Sequence, residues 1–118
     1  SIQQATITTI SNADMKWLKD VEKRIQSEIS NSKYNIESLV TELNISRSQF
    51  QRRIKKTTGL SPTQYLREIK LQAARELLED GTIQTVNEVA YSVGFDTAHY
   101  FSKIYHQRFG KRPIEYLK

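Results

Sequence analysis

The sequence predicts an all-α fold of seven helices, in which two helix-turn-helix subdomains are joined by a long linking helix. Three observations predict it. Apolar residues recur at helical spacing from Asp14 onward, capping signals punctuate them, and the pattern of the first half returns in the second at an offset of 50.

At 118 residues the chain suits one compact unit or two small subdomains. A fold of this size buries about 65% of its unfolded surface, which leaves little material for a large enzyme cleft. Lys and Arg number 18 against 13 Asp and Glu, for a net charge of +5, which favours a polyanionic partner. The excess is local: residues 45 to 58 carry Arg47, Arg52, Arg53, Lys55 and Lys56 with no acid, whereas residues 14 to 30 balance their charges. The absence of cysteine excludes a disulfide frame, a thiolate zinc site and a cysteine nucleophile, and fits a reducing cytosol. No run approaches the roughly 18 apolar residues of a membrane span, and the polar start lacks a signal-peptide pattern, so no membrane contact is expected. A cytoplasmic location follows as an expectation, which a membrane-anchored longer parent would also satisfy.

Residues 1–13 read as a linker or tail and residues 14–118 as the domain. Ser11-Asn12-Ala13 is either an expression scar or a native cap before Asp14. Trp17, Leu18, Val21, Ile25 and Ile29 then follow helical spacing with charges between them, as an amphipathic helix packed on the segments after it. Asn35 can cap a short helix through Ile36, Leu39, Val40 and Leu43, and Asn44-Ile45 forms a turn. Ser46 with Gln49 makes a capping box for the next helix, 46–58, which Gly59 ends. Phe50 and Ile54 share its inner stripe, while Ser48, Gln51, Arg52 and Lys55 fall on the opposite side. The first helix-turn-helix therefore spans about 35–59.

Ser61-Pro62-Thr63-Gln64 combines a serine cap, proline at the first helical position and a capping-box glutamine. The linking helix, about 62–80, comes next, and its roughly 18 residues from Pro62 to Glu79 span about 27 Å at 1.5 Å each. Thr85 with Glu88 starts a short helix through Val86, Val89, Ala90 and Val93, Gly94-Phe95 turns the chain, and Asp96 is the expected cap of the helix 96–109. In that helix Phe101 and Tyr105 point inward and His99, Ser102, Lys103 and His106 outward. Gly110 ends the second helix-turn-helix, about 85–110, and Pro113 to Lys118 forms one closing turn.

Ile36, Leu39, Val40, Leu43 and Ile45 match Val86, Val89, Ala90, Val93 and Phe95 at an offset of 50. After the turn the offset is 51, pairing Phe50, Ile54, Gly59, Pro62 and Tyr65 with Phe101, Tyr105, Gly110, Pro113 and Tyr116, so the second turn holds one extra residue. A helix-turn-helix commonly dimerises so that its reading helices sit about 34 Å apart, one turn of duplex. One chain carries both here, so a monomer that contacts two adjacent major-groove segments is expected.

The segments Gly59-Leu-Ser-Pro-Thr-Gln-Tyr-Leu-Arg67, Ala74-Arg75-Glu-Leu-Leu78 and Val89-Ala-Tyr-Ser-Val-Gly-Phe95, followed by Tyr100-Phe101, Phe109-Gly110, Pro113 and Tyr116, resemble the AraC/XylS family DNA-binding domain from about Tyr34 to Lys118. Asp14-Met-Lys-Trp-Leu-Lys19 is similar to the segment that precedes this domain in Bacteroides-type hybrid two-component regulators. The resemblance implies sequence-specific binding of double-stranded DNA in bacterial transcription regulation, without cofactor. It allows RNA polymerase as a further partner and leaves dimerisation of a longer parent through upstream domains open. Carried over by position, it places base reading on Ser48, Gln51 and Arg52 of the first reading helix and on Ala98, His99, Ser102 and Lys103 of the second. Gln51 can pair with adenine and Arg52 with guanine, each discriminating by about 1–3 kcal/mol. Ala98 could at most touch a thymine methyl, where the family often has a longer polar residue. The second helix is thus expected to contribute more to affinity than to sequence choice. Arg47, Lys55, Tyr100 and His106 are assigned to phosphate contact.

Plainer readings compete with each assignment. Basic residues on a helix surface are usually solvated, and lysines near a helix C-terminus are favoured there by its dipole. The duplicated frame tips Arg47 and Arg52 toward DNA and leaves Lys56 open. His99 and His106 share a face but stand about 10 Å apart along the axis, too far for one metal ion without other ligands. An enzyme is disfavoured because the chain lacks a glycine-rich phosphate loop, a clustered carboxylate pair and a nucleophile with an evident partner. A protein-interaction module would present an apolar outer face, whereas both reading helices face outward with polar and basic residues.

Overall fold

A computed structural model of the chain describes residues 11–117. The expected tail therefore lies outside the described residues except at its last three positions. Those three already belong to a capped helix. Ser11 is the cap, its Oγ accepting the Asp14 N–H at 3.1 Å, and α1 runs Asn12–Ser27. The first helix thus begins at Asn12, two residues before Asp14, because a serine immediately before a helix satisfies an amide that would otherwise lack a partner.

Among the described residues there are six α-helices and one short 3-10 turn in place of seven helices: α1, α2 (Ile36–Leu43), α3 (Arg47–Thr58), α4 (Pro62–Asp80), α5 (Val86–Ser92), α6 (Ala98–Phe109) and the closing turn Pro113–Tyr116. Capping boxes set three of the starts. Asn35 and Ser38 bond reciprocally at α2, Ser46 and Gln49 at α3, and Ser61 and Gln64 at α4. At α5 the box is half formed: Thr85 Oγ1 accepts a hydrogen bond from the Glu88 N–H, while the Glu88 carboxylate accepts one from the Thr85 hydroxyl and leaves the Thr85 N–H outside the box.

The duplication is structural as well as sequential. In the first turn Ile45 N–H reaches back to Val40 O at 3.2 Å, and in the second Phe95 N–H reaches Ala90 O at 2.9 Å. The bend needs a left-handed residue in each case, supplied by Asn44 at φ 56° and by Gly94 at φ 83°. Beyond that point the copies diverge by the extra residue. Thr97, not Asp96, caps α6, its hydroxyl accepting the Tyr100 N–H at 3.2 Å. Thr97 corresponds to Ser46 at the offset of 51 that the rest of the helix obeys.

Two cores form. Val21, Ile25, Leu39, Phe50, Ile54 and Tyr65 centre the first, and Leu71, Ala74, Val89, Phe101 and Tyr105 centre the second. Full burial of a Phe or Ile contributes about 1.5–3 kcal/mol, and Phe50, Ile54, Phe101 and Tyr105 are all fully buried. The inner and outer faces assigned to α3 and α6 therefore follow the helical count. Helix α4 lends its first half to one core and its second half to the other, and Ile29, in the loop after α1, packs on both.

That loop closes on the second turn. A Cβ built on Gly94 would lie 2.3 Å from the Ile29 carbonyl oxygen, and Lys70 Nζ donates to the Gly94 carbonyl at 3.2 Å. Gly94→Ala is expected to cost about 3 kcal/mol in urea unfolding, combining left-handed strain with a backbone clash. Gly59→Ala, at φ 78° with nothing near its Cβ position, is expected to cost only about 1 kcal/mol.

Candidate nucleic-acid interface

The capping box at Ser46 fixes the register of α3 and so the side its polar residues face. Ser48, Gln51, Arg52, Lys55 and Lys56 are exposed and line one shallow depression without an acidic side chain. Lys55 Nζ donates to the Gly59 carbonyl at 3.0 Å, which closes the end of the helix and holds the ammonium at the rim. Arg47 pairs with Glu37 across the turn, with both side chains more than half exposed. Such a pair contributes about 0–1 kcal/mol and yields readily to a stronger anion. Arg52 has no ion-pair partner among the described residues.

On α6, His99, Lys103 and His106 are exposed and Ser102 is half-buried. Ala98 is different: its methyl packs against the second core, so little of it is left for a groove. Tyr100 is 48% exposed, its ring 6.2 Å from that of Phe95 at the flank of the helix. Tyr105 is buried and donates its hydroxyl proton to Tyr116 at 2.9 Å.

Two features escaped the sequence. The first is Asp14, which is buried at the start of α1 although an acid in a first helical turn ordinarily serves the helix dipole alone. Its Oδ1 accepts from Arg53 Nε at 3.0 Å and its Oδ2 lies 3.2 Å from Lys56 Nζ. The Arg53 bond foremost, then Lys56, holds the Asp14 carboxyl below its ordinary value of 3.8. Arg53 also lies over the Trp17 ring, 4.5 Å from its centroid, and Trp17 in turn meets Phe50 at 5.7 Å. The second is the bidentate pair in which Arg108 of α6 donates twice to Glu68 of α4, both at 2.8 Å, holding the Glu68 carboxyl low. Separations of 39 and 40 residues gave no local signal for either.

Residues 39–118 match the family model described as a helix-turn-helix domain. Over 108 residues the chain is 32% identical to histidine kinase P4 of Formosa agariphila, covering 92% of this chain and 8% of the kinase. The C-terminal domain of AraT, a response regulator from Geobacillus stearothermophilus, superposes with a TM-score of 0.74 at 34% identity, covering 83% of this chain and 80% of that one. The DNA-binding domain of AdpA, a global transcriptional factor crystallised with a target DNA, superposes at 0.75 with 27% identity, covering 84% and 87%. The chain spans 8%, 28% and 38% of the lengths of three curated relatives it matches.

The Asp14 cluster has a pH signature. A carboxyl whose folded value is depressed contributes stability that is complete above its ordinary value of 3.8 and disappears as pH falls from there through the lowered one. Wild-type protein is therefore expected to melt higher than Asp14→Asn at about pH 6, with the gap closing as pH falls below about 4. Thermal melts of both proteins across that range make the comparison.

Proposed function

The chain belongs to the AraC-type helix-turn-helix family, and from that membership we propose that it binds double-stranded DNA sequence-specifically through two reading heads to regulate bacterial transcription. The observation that carries the reading is the outer face of α3, where Ser48, Gln51, Arg52 and Lys55 stand exposed together without an acid. Gln51 offers an amide donor beside a carbonyl acceptor, matching the adenine edge, and Arg52 offers paired donors matching the two acceptors of guanine. Around them Arg47 and Lys55, with Tyr100 and His106 on the second head, supply the phosphate contacts that fix position without reading sequence. On α6 the base-facing set is His99, Ser102 and Lys103, with Ala98 limited to a methyl contact.

Dimensions support contact with two adjacent major-groove segments by a single chain. Helix α4 has 19 residues, or about 28 Å at 1.5 Å each, and the molecule extends 43 Å along its longest axis. Successive major grooves on one face recur about every 34 Å. The likeness to a histidine kinase and to a response regulator supports a place as the output domain of a hybrid two-component regulator. In such a protein the signal enters through other domains, which would also set dimerisation, and RNA polymerase would be met at the promoter. A DNA target supports a cytoplasmic location for this part of the protein. No described helix is long and apolar enough to cross a membrane.

Selection from a randomised duplex pool, followed by gel shifts across salt concentrations, tests the reading. Absence of salt-sensitive binding to any selected duplex would sink it. On the selected site Arg52→Ala is expected to lose roughly 5- to 150-fold in preference over a scrambled duplex, matching about 1–3 kcal/mol. Arg47→Ala is expected to weaken binding to both duplexes alike and to flatten the log-log salt dependence by about 0.9.

A further inference from the structure

The start of α1 lies along the edge of the first reading face. Asp14, Trp17 and Arg53 line one depression together with Arg52 and Lys56, and those last two residues also line the reading face itself. Lys56 follows Arg52 by one helical turn and so prolongs the same cationic row. Two cations there converge on one anion, since the two Asp14 oxygens are engaged separately, by Arg53 at 3.0 Å and Lys56 at 3.2 Å. An Arg and a Lys offering donors to different oxygens of one group is also how a phosphate is held.

We propose that Arg53 and Lys56 form a phosphate-binding site already occupied by the Asp14 carboxylate, so that α1 masks part of the charge of the first head and lowers its affinity for DNA. The inference rests on the DNA-binding reading. The partners differ in mobility. Arg53 is pinned between the carboxylate and the Trp17 ring, and the Asp14 side chain is only 8% exposed. The Lys56 side chain is 68% exposed on a flexible stem, so it is the member able to turn to an incoming phosphate. While Asp14 is ionised, a phosphate approaching Lys56 also approaches a fixed negative charge, and the pair of cations presents one net positive charge instead of two.

Neutralising Asp14 exposes the site. Asp14→Asn, nearly isosteric, and Asp14→Ser, a smaller neutral side chain, are measured in parallel on one selected duplex, each first shown folded by circular dichroism at the assay temperature. Binding is expected to tighten roughly 3- to 10-fold at about 0.1 M salt, and the log-log salt slope to steepen by about 0.9, the signature of one more phosphate neutralised. Adding Lys56→Gln to either variant is expected to abolish both gains. Equal or weaker binding with an unchanged slope in the folded variants would overturn the mask and assign Asp14 to stability alone. Wild-type protein that binds no duplex in a salt-sensitive way would overturn the DNA-binding reading instead, so the two failures are separable.

Discussion

Burial of α4 on two successive stretches of its length ties the subdomains into one body. Tyr65, Leu66 and Ile69 belong to the first core, Leu71, Ala74 and Leu78 to the second, and the change falls between Ile69 and Leu71. A helix used in this way cannot swing relative to either head without exposing apolar surface at about 25 cal/mol per Å². The angle between α3 and α6 is therefore a property of the packing. Two further contacts reinforce it: the forked Arg108–Glu68 pair fastens α6 to α4, and Ile29 wedges between the cores where Gly94 admits its carbonyl. Two reading helices held at a constant separation suit a periodic target such as a duplex.

Most of this architecture was legible because it rests on local chemistry repeated along the chain. Apolar spacing identifies the buried stripe of each helix, and Ser46, Ser61, Gly59 and Gly81 mark boundaries that the backbone then obeys. The duplication made each half a check on the other. Where a boundary was misplaced, at Asp96 and Thr97, two good capping residues stood side by side. The extra residue in the second turn decided between them, and the offset of 51 already pointed to Thr97 as the partner of Ser46. The closing turn could not be read as a full helix or a 3-10 turn from four residues, since propensity summed over so short a segment carries little weight.

The interface was legible only as a list of exposed side chains. Helical angle shows that Ser48, Gln51, Arg52 and Lys55 face outward, but it says nothing of what distant residues do to the charges beside them. Glu37 engages Arg47, and Asp14 engages Arg53 and Lys56, so three of the five bases that made residues 45 to 58 look uniformly cationic are partly neutralised within the fold. Sequence charge overstates the field at this surface for a physical reason: ion pairing depends on distance in space, and these partners come from α1 and α2. Arg52 and Lys55 keep their charge facing outward, one with no ion-pair partner among the described residues and the other held only by a neutral carbonyl.

Charge and packing also separate the two heads. In the second, Ala98 contributes its methyl to the core, and Phe95, Phe101, Tyr105 and Phe109 form an unbroken aromatic series with centroids 5.2, 5.6 and 4.6 Å apart. Aromatic packing of this kind adds about 0.5–1.5 kcal/mol per pair beyond burial, and it commits the inner face of α6 to stability. The assigned contact positions on its outer face are His99, Ser102, Lys103 and His106, none with the donor–acceptor pair of a glutamine amide or the donor fork of arginine. The first head has that geometry at Gln51 and Arg52 but carries the Asp14 contact at its edge. If base choice resides mainly in α3, the head that discriminates is also the head whose charge α1 tempers. Tempered charge lowers affinity for every duplex alike while leaving base-edge hydrogen bonds intact, so the ratio between sites is unchanged and base-edge contacts make up a larger share of the binding free energy.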